Sequence, residues 1–162
     1  MTILGIDPGT ATTGFGIIQK DKDGNWQAVD FGVITTDKHE GDAERLHVLA
    51  LDLVSIIKKY NPDAAGVEKL FFETNVKTAI TVAQARGVIL QTLAAHHVPL
   101  YEYTPLQVKS SLTGYGSADK KQMQYMVKQT FALKTIPKPD DAADALAIAL
   151  CCATRMKHDI TT

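Results

Sequence analysis

The sequence predicts an α/β domain on a five-stranded mixed sheet: three antiparallel strands in a meander, two further strands, and helices on both faces. Three observations predict it. The first third of the chain carries apolar runs broken by turn residues, the pattern of strands and hairpins. From about Asp42 the apolar spacing lengthens to a helical period. Two later apolar runs, DAAGVE and VPLYEY, lie between helical stretches, as strands joined by crossovers do.

Each element follows in order. TILGID is a short buried strand ending at Asp7, and DPGTATTG after it is a turn. Pro8-Gly9 suits a type II turn with Gly9 at positive φ. FGIIQK and WQAVDFGVITT are the next two strands, parted by the turn DKDGN. Leu46, Leu49, Leu53, Ile56 and Ile57 mark a helix from about Asp42 to Tyr60, closed by Pro62. DAAGVE is a strand ending at Glu68. Residues 75 to 97 form a long helix, and VPLYEY is the fifth strand. Thr104-Pro105 starts a helix as N-cap and first-turn proline. Ser117 begins another, running to about Leu133, and the last begins near Asp140. The order is βββαβαβααα. Residues 1–156 form one domain and 157–162, KHDITT, a polar tail without an assigned role.

No segment reaches the roughly 20 unbroken apolar residues that span a bilayer, so no membrane association is expected. The chain opens directly on a strand-like run, so no signal peptide is expected. Cys151 and Cys152 are adjacent within an apolar helical pattern. They read as reduced core residues of a cytoplasmic protein. Net charge is −1, which argues weakly against a nucleic-acid partner, yet residues 105–138 hold six lysines against one acid. Such a basic face is compatible with phosphate binding, and equally with lysines that merely solvate two surface helices.

The acids carry the chemistry. In open α/β sheets, ligands gather outside the carboxyl ends of the strands. Asp7 ends the first strand and Glu68 the fourth; as parallel neighbours they would emerge at one edge. The last helix opens with Asp140, Asp141 and Asp144. One or two of these suit a helix N-terminus unaided. Asp144 lies in the apolar stretch and is not so explained, and spacing alone does not choose between Asp140 and Asp141. Two carboxylates ~4 Å apart repel by ~4 kcal/mol at an effective dielectric of 20, so a cluster needs protons or cations. An all-oxygen set selects Mg²⁺ or Mn²⁺, and two such ions ~4 Å apart can cleave a phosphodiester.

GIDPGTATTGFGII, VEKLFF, AQARGV, QVKSSLTGYGSADK and DDAADALAIA, in this order, resemble the RuvC-type Holliday junction resolvases of the RNase H-like superfamily. The resemblance covers roughly residues 2–155. It implies an RNase H-like fold and carries the family's four acids onto Asp7, Glu68, Asp141 and Asp144, leaving Asp140 as a cap or bystander. It implies a Mg²⁺-dependent endonuclease, with two ions per subunit and Mn²⁺ as a substitute. The implied enzyme is a homodimer that nicks opposed strands of a four-way DNA junction, leaving 5′-phosphate and 3′-hydroxyl ends, and works with the RuvA–RuvB branch-migration complex.

The resemblance also places Phe71 near the junction centre, where stacking on a base is worth about 1–3 kcal/mol. Lys109 and Lys120 match its phosphate-binding positions, with Lys121 an added candidate. The GYGSADKK turn brings a helix N-terminus there, which suits an anion. Ala79, Ala83 and Gly87 form a small-residue stripe on the helix that the family uses to dimerise; packing on the chain's own sheet is the alternative.

Three rivals remain in view. GIDPGT also resembles the phosphate loop of actin-like ATPases and sugar kinases, but those need two lobes, more than 162 residues allow. A YqgF-type nuclease of ribosomal RNA precursors shares the superfamily and lacks the DAADALAIA pattern. A junction-binding module without catalysis would not need all four acids.

Overall fold

The structure, a computed structural model, describes residues 1–69 and 76–159. Ten elements follow the expected order: β1 (Thr2–Asp7), β2 (Thr12–Lys20), β3 (Trp26–Thr35), α1 (Asp42–Tyr60), β4 (Ala64–Glu68), α2 (Val76–Ala95), β5 (Leu100–Tyr103), α3 (Pro105–Thr113), α4 (Lys120–Thr130) and α5 (Asp140–Asp159). They form a five-stranded sheet ordered β3-β2-β1-β4-β5. The β1–β2 and β2–β3 pairs are antiparallel, and β1–β4 and β4–β5 are parallel.

Strand periodicity splits the core in two, because successive side chains leave opposite faces. Ile3 and Ile18 join α3, α4 and α5 on one side. Leu4, Ile6, Ile17, Ala65 and Val67 join α1 and α2 on the other. Helix α5 is buried between the sheet and the α3–α4 pair, and that explains its apolar run: Ala142, Ala145, Leu146, Ile148 and Ala149 are all fully buried. Cys151 and Cys152 are buried there too, and neither forms a disulfide.

Helix α5 approaches the sheet closely because strand glycines leave room for it. A Cβ on Gly5 would stand 2.0 Å from the Ala145 carbonyl oxygen, and one on Gly14 2.1 Å from that of Asp141. Gly16 and Gly66 make the same allowance beneath Leu146 and Ile148. This lane across β1, β2 and β4 fixes where the acidic end of α5 comes to rest.

Some expectations need correction. Gly9 is not at positive φ; among the described glycines only Gly24 and Gly114 are. It is needed for space, since a Cβ there would meet the Thr12 carbonyl oxygen at 2.1 Å. Helix α4 starts at Lys120 rather than Ser117, because Asp119 and Gln122 form a reciprocal capping box that sets the start. Helix α5 continues to Asp159. The Thr104 cap and Pro105 start are as expected, completed by Gln107.

Candidate active site

The parallel pairing of β1 and β4 runs to Ile6 opposite Val67, so Asp7 and Glu68 leave the sheet together at one carboxyl edge. On its other side Asp7 pairs with Gly14 of β2. Because Gly14 lies against the Asp141 backbone, the first turn of α5 is delivered beside Asp7. Asp144 follows three residues later, on the same helical face, and shares a cleft with Glu68, Lys109 and Lys120.

The turn after Asp7 is tied down from both ends. Thr13 Oγ1 donates to the Gly9 carbonyl (2.5 Å), and Thr36 Oγ1 donates to the Thr10 carbonyl (2.7 Å). Arg45 Nε in turn donates to Thr36 Oγ1 (2.9 Å). These bonds tie the loop after Asp7 to β2, to the end of β3 and to α1.

The four acids feel one another. Burial, then the charges of Glu68, Asp144 and Asp141, push Asp7 up to about 8, against the pull of Lys120. Burial and Asp144 push Glu68 up to about 7, opposed by Lys109. Asp144 is raised by burial, with Lys120 opposing and Asp141 and Asp140 adding to the rise. Burial first, and mutual repulsion second, therefore favour protons on Asp7 and Glu68 when no cation is bound.

As placed, no three His, Cys, Asp or Glu side chains among the described residues form a group able to hold a metal ion. The set is nevertheless chemically suited to one. It offers only oxygen donors, it is partly buried, and its mutual repulsion is the energy a hard dication would relieve. The carboxylates are neighbours in charge and would have to draw together around an ion.

The basic wall is divided. Lys109 of α3 and Lys120 of α4 line the cleft with Glu68 and Asp144, whereas Lys121 is exposed and does not line it. At the α4 N-terminus the Asp119 carboxylate accepts from the Gln122 amide (2.8 Å). Asp140 has ion-pair partners of its own. Its carboxylate bridges Lys120 (3.0 Å) and Lys138 (2.9 Å), which hold it down to about 2. Sequence reasoning missed this anchor, although the lysine-acid pattern KPDD was a signal. Phe71 and Phe72 lie outside the described residues.

Of the small-residue stripe of α2, Ala83 and Gly87 face outward while Ala79 is half-buried. Ala85, Ile89 and Leu93 supply the face buried on the sheet. Ala83 and Gly87 are exposed, Ile80 is 55% exposed, and a Cβ on Gly87 would meet nothing within 4 Å among the described residues. Packing on the chain's own sheet is excluded for these residues.

With this geometry in place, comparison with known proteins is specific. Residues 3–152 match the family described as crossover junction endodeoxyribonuclease RuvC. The protein of that name from Clostridioides difficile is 52% identical over 161 residues, 99% of this chain and 95% of that one. The one from Roseiflexus is 55% identical over 91% of this chain and 88% of the relative. Thermus thermophilus RuvC superposes with a TM-score of 0.89 at 33% identity, covering 98% of this chain and 97% of that one. The same protein in complex with a Holliday junction substrate superposes at 0.87 and 30% identity, over 98% and 96% of the two chains. The yeast mitochondrial resolvase Ydc2, at 16% identity, a TM-score of 0.68 and coverage of 96% and 80%, shares the fold.

Proposed function

This chain belongs to the RuvC family of crossover junction endodeoxyribonucleases, and from that premise we propose that Asp7, Glu68, Asp141 and Asp144 are its catalytic, metal-holding residues. The enzyme is a metal-dependent nuclease that resolves Holliday junctions. The observation that best supports the residue assignment is the Asp7–Gly14 pair with the Asp141 backbone packed against Gly14.

The metal is Mg²⁺, with Mn²⁺ able to replace it, at two ions per subunit; a donor set of carboxylate oxygens suits both ions. When bound, such ions supply the charge that ionises water and stabilises a leaving oxygen. The chain's own residues do the rest. Asp7 and Glu68, with Asp141 and Asp144, would hold the ions through ionised carboxylates. Lys109 and Lys120 draw the DNA backbone into the cleft and offset its charge. Cleavage leaves 5′-phosphate and 3′-hydroxyl ends. Phe71 stacks on a junction base, and Lys121 contributes to the basic field from outside the cleft.

A second copy docks on the outer stripe of α2, at Ile80, Ala83 and Gly87, and the two-fold dimer places one site on each of two opposed strands. The dimer acts in the cytoplasm with the RuvA–RuvB complex. Among the described residues no helix is long and apolar enough to cross a membrane.

The test is cleavage of a mobile four-way junction, a linear duplex and a structured RNA, each with Mg²⁺ and with EDTA. Paired symmetric nicks confined to the junction with Mg²⁺ support the reading. Equal cleavage of the linear duplex or the RNA, or cleavage in EDTA, contradicts it.

A further inference from the structure

Arg86 stands in the second half of α2 and reaches the strand edge that carries Glu68. Its Nε donates to the Glu68 carbonyl oxygen (3.4 Å), and its Nη2 pairs closely with Glu102 Oε1. Glu102 lies in β5, opposite Val67 of β4. One planar guanidinium therefore ties a helix to two adjacent strands, a two-point grip that lysine cannot reproduce.

The edge needs such a tie because its ladder ends there. The Lys69 amide donates to the Tyr103 carbonyl (2.8 Å). Beyond that, the Thr104 amide is taken by Gln107 Oε1 (2.8 Å), and Pro105 has no amide proton to give. Glu68 is thus the last strand residue of β4, and Arg86 holds its backbone from outside the sheet. Both side chains of the Arg86–Glu102 pair are half-buried, at 20% and 35% exposure, so solvent screens the grip only in part.

We propose that Arg86, braced by Glu102, is a positioning residue that fixes the Glu68 backbone so that its carboxylate meets the other three acids. This rests on Glu68 being a catalytic residue. Arg86 touches no reacting atom. Its effect is on geometry, where a displacement near 1 Å costs about 10²-fold in rate.

The test compares Arg86→Met, Arg86→Lys, the Arg86→Glu/Glu102→Arg exchange and Glu68→Gln. Single-turnover cleavage of bound junction is read beside junction Kd in metal-free buffer and amide exchange at Lys69. Arg86→Met is expected to cleave about 10²-fold more slowly, with Kd within about threefold of the parent. Lys69 exchange should rise while exchange in the α5 core does not. Arg86→Lys should recover part of the rate. The exchange variant restores an ion pair without the donor to Glu68, so it should stay slow. Full cleavage by Arg86→Met beside an inactive Glu68→Gln overturns this inference alone, as does full rescue by the exchange variant. Full cleavage by Glu68→Gln overturns the site reading and this inference with it.

Discussion

Gly14 and Asp141 touch backbone to backbone: a Cβ on Gly14 would stand 2.1 Å from the Asp141 carbonyl oxygen and 2.6 Å from its carbon. Gly14 is also the strand partner of Asp7. A single missing side chain thus sets the distance between the strand acid and the helix acid.

Gly14→Ala should therefore push the first turn of α5 off the sheet. We expect a stability loss of about 1–3 kcal/mol, as for other overpacked contacts. Cleavage should fall by about 10- to 10²-fold in the surviving folded protein. Thermal melts with single-turnover assays check both. Junction binding, which depends chiefly on lysines, should change little.

The metal-free protein should be less stable at pH 8 than at pH 5.5. In the unfolded chain Asp7 and Glu68 ionise near their ordinary 3.8 and 4.5, but in the fold only near 8 and 7. Between those limits the folded state binds more protons, so stability falls as pH rises and levels off above about 8. Asp140, Asp30 and Asp21 are shifted downward, so they act below this window with the opposite sign. Melting in EDTA across pH 5.5–8 measures the slope; Glu68→Gln should reduce it, and Mg²⁺ should flatten it. Stability that rises with pH across this range would contradict the arrangement.

Lys109→Ala and Lys120→Ala should each weaken junction binding and lower the salt slope of log K by about 0.9 if each meets one phosphate. Lys120 also pairs with Asp140 (3.0 Å), so DNA competes with that pair for it. Asp140→Asn should accordingly tighten binding at low salt. Titrations across a salt series separate these effects.

Gly87→Leu should spare the folded subunit and weaken self-association, because nothing among the described residues occupies the space a Cβ would enter. Sedimentation at several concentrations checks it. An undiminished dimer in this variant would place the second copy elsewhere.

Much of the fold is legible in the residue pattern alone. The switch from period 2 to period 3.6 marks the strands and helices, and Asp7 and Glu68 stand out as strand-ending acids because carboxyl edges gather ligands. What spacing does not show is the contact that joins them to α5. Gly14 and Gly5 read as weak strand residues until α5 is seen lying on them. The choice between Asp140 and Asp141 is likewise closed to spacing, since consecutive residues in a first turn differ only in what they face. The fold turns Asp140 to two lysines and sets Asp141 beside Asp7. Arg86 is hidden for the same reason: its partners Glu68 and Glu102 are distant in sequence and meet only through the β4–β5 pairing.

The most direct measurement is anomalous diffraction from crystals soaked in Mn²⁺. Density is expected among the carboxylates of Asp7, Glu68, Asp141 and Asp144, about 2 Å from their oxygens, and Asp141→Asn should lose it together with cleavage. Manganese bound away from these four side chains, in a protein that still cleaves junctions, would contradict their role as the metal-holding set.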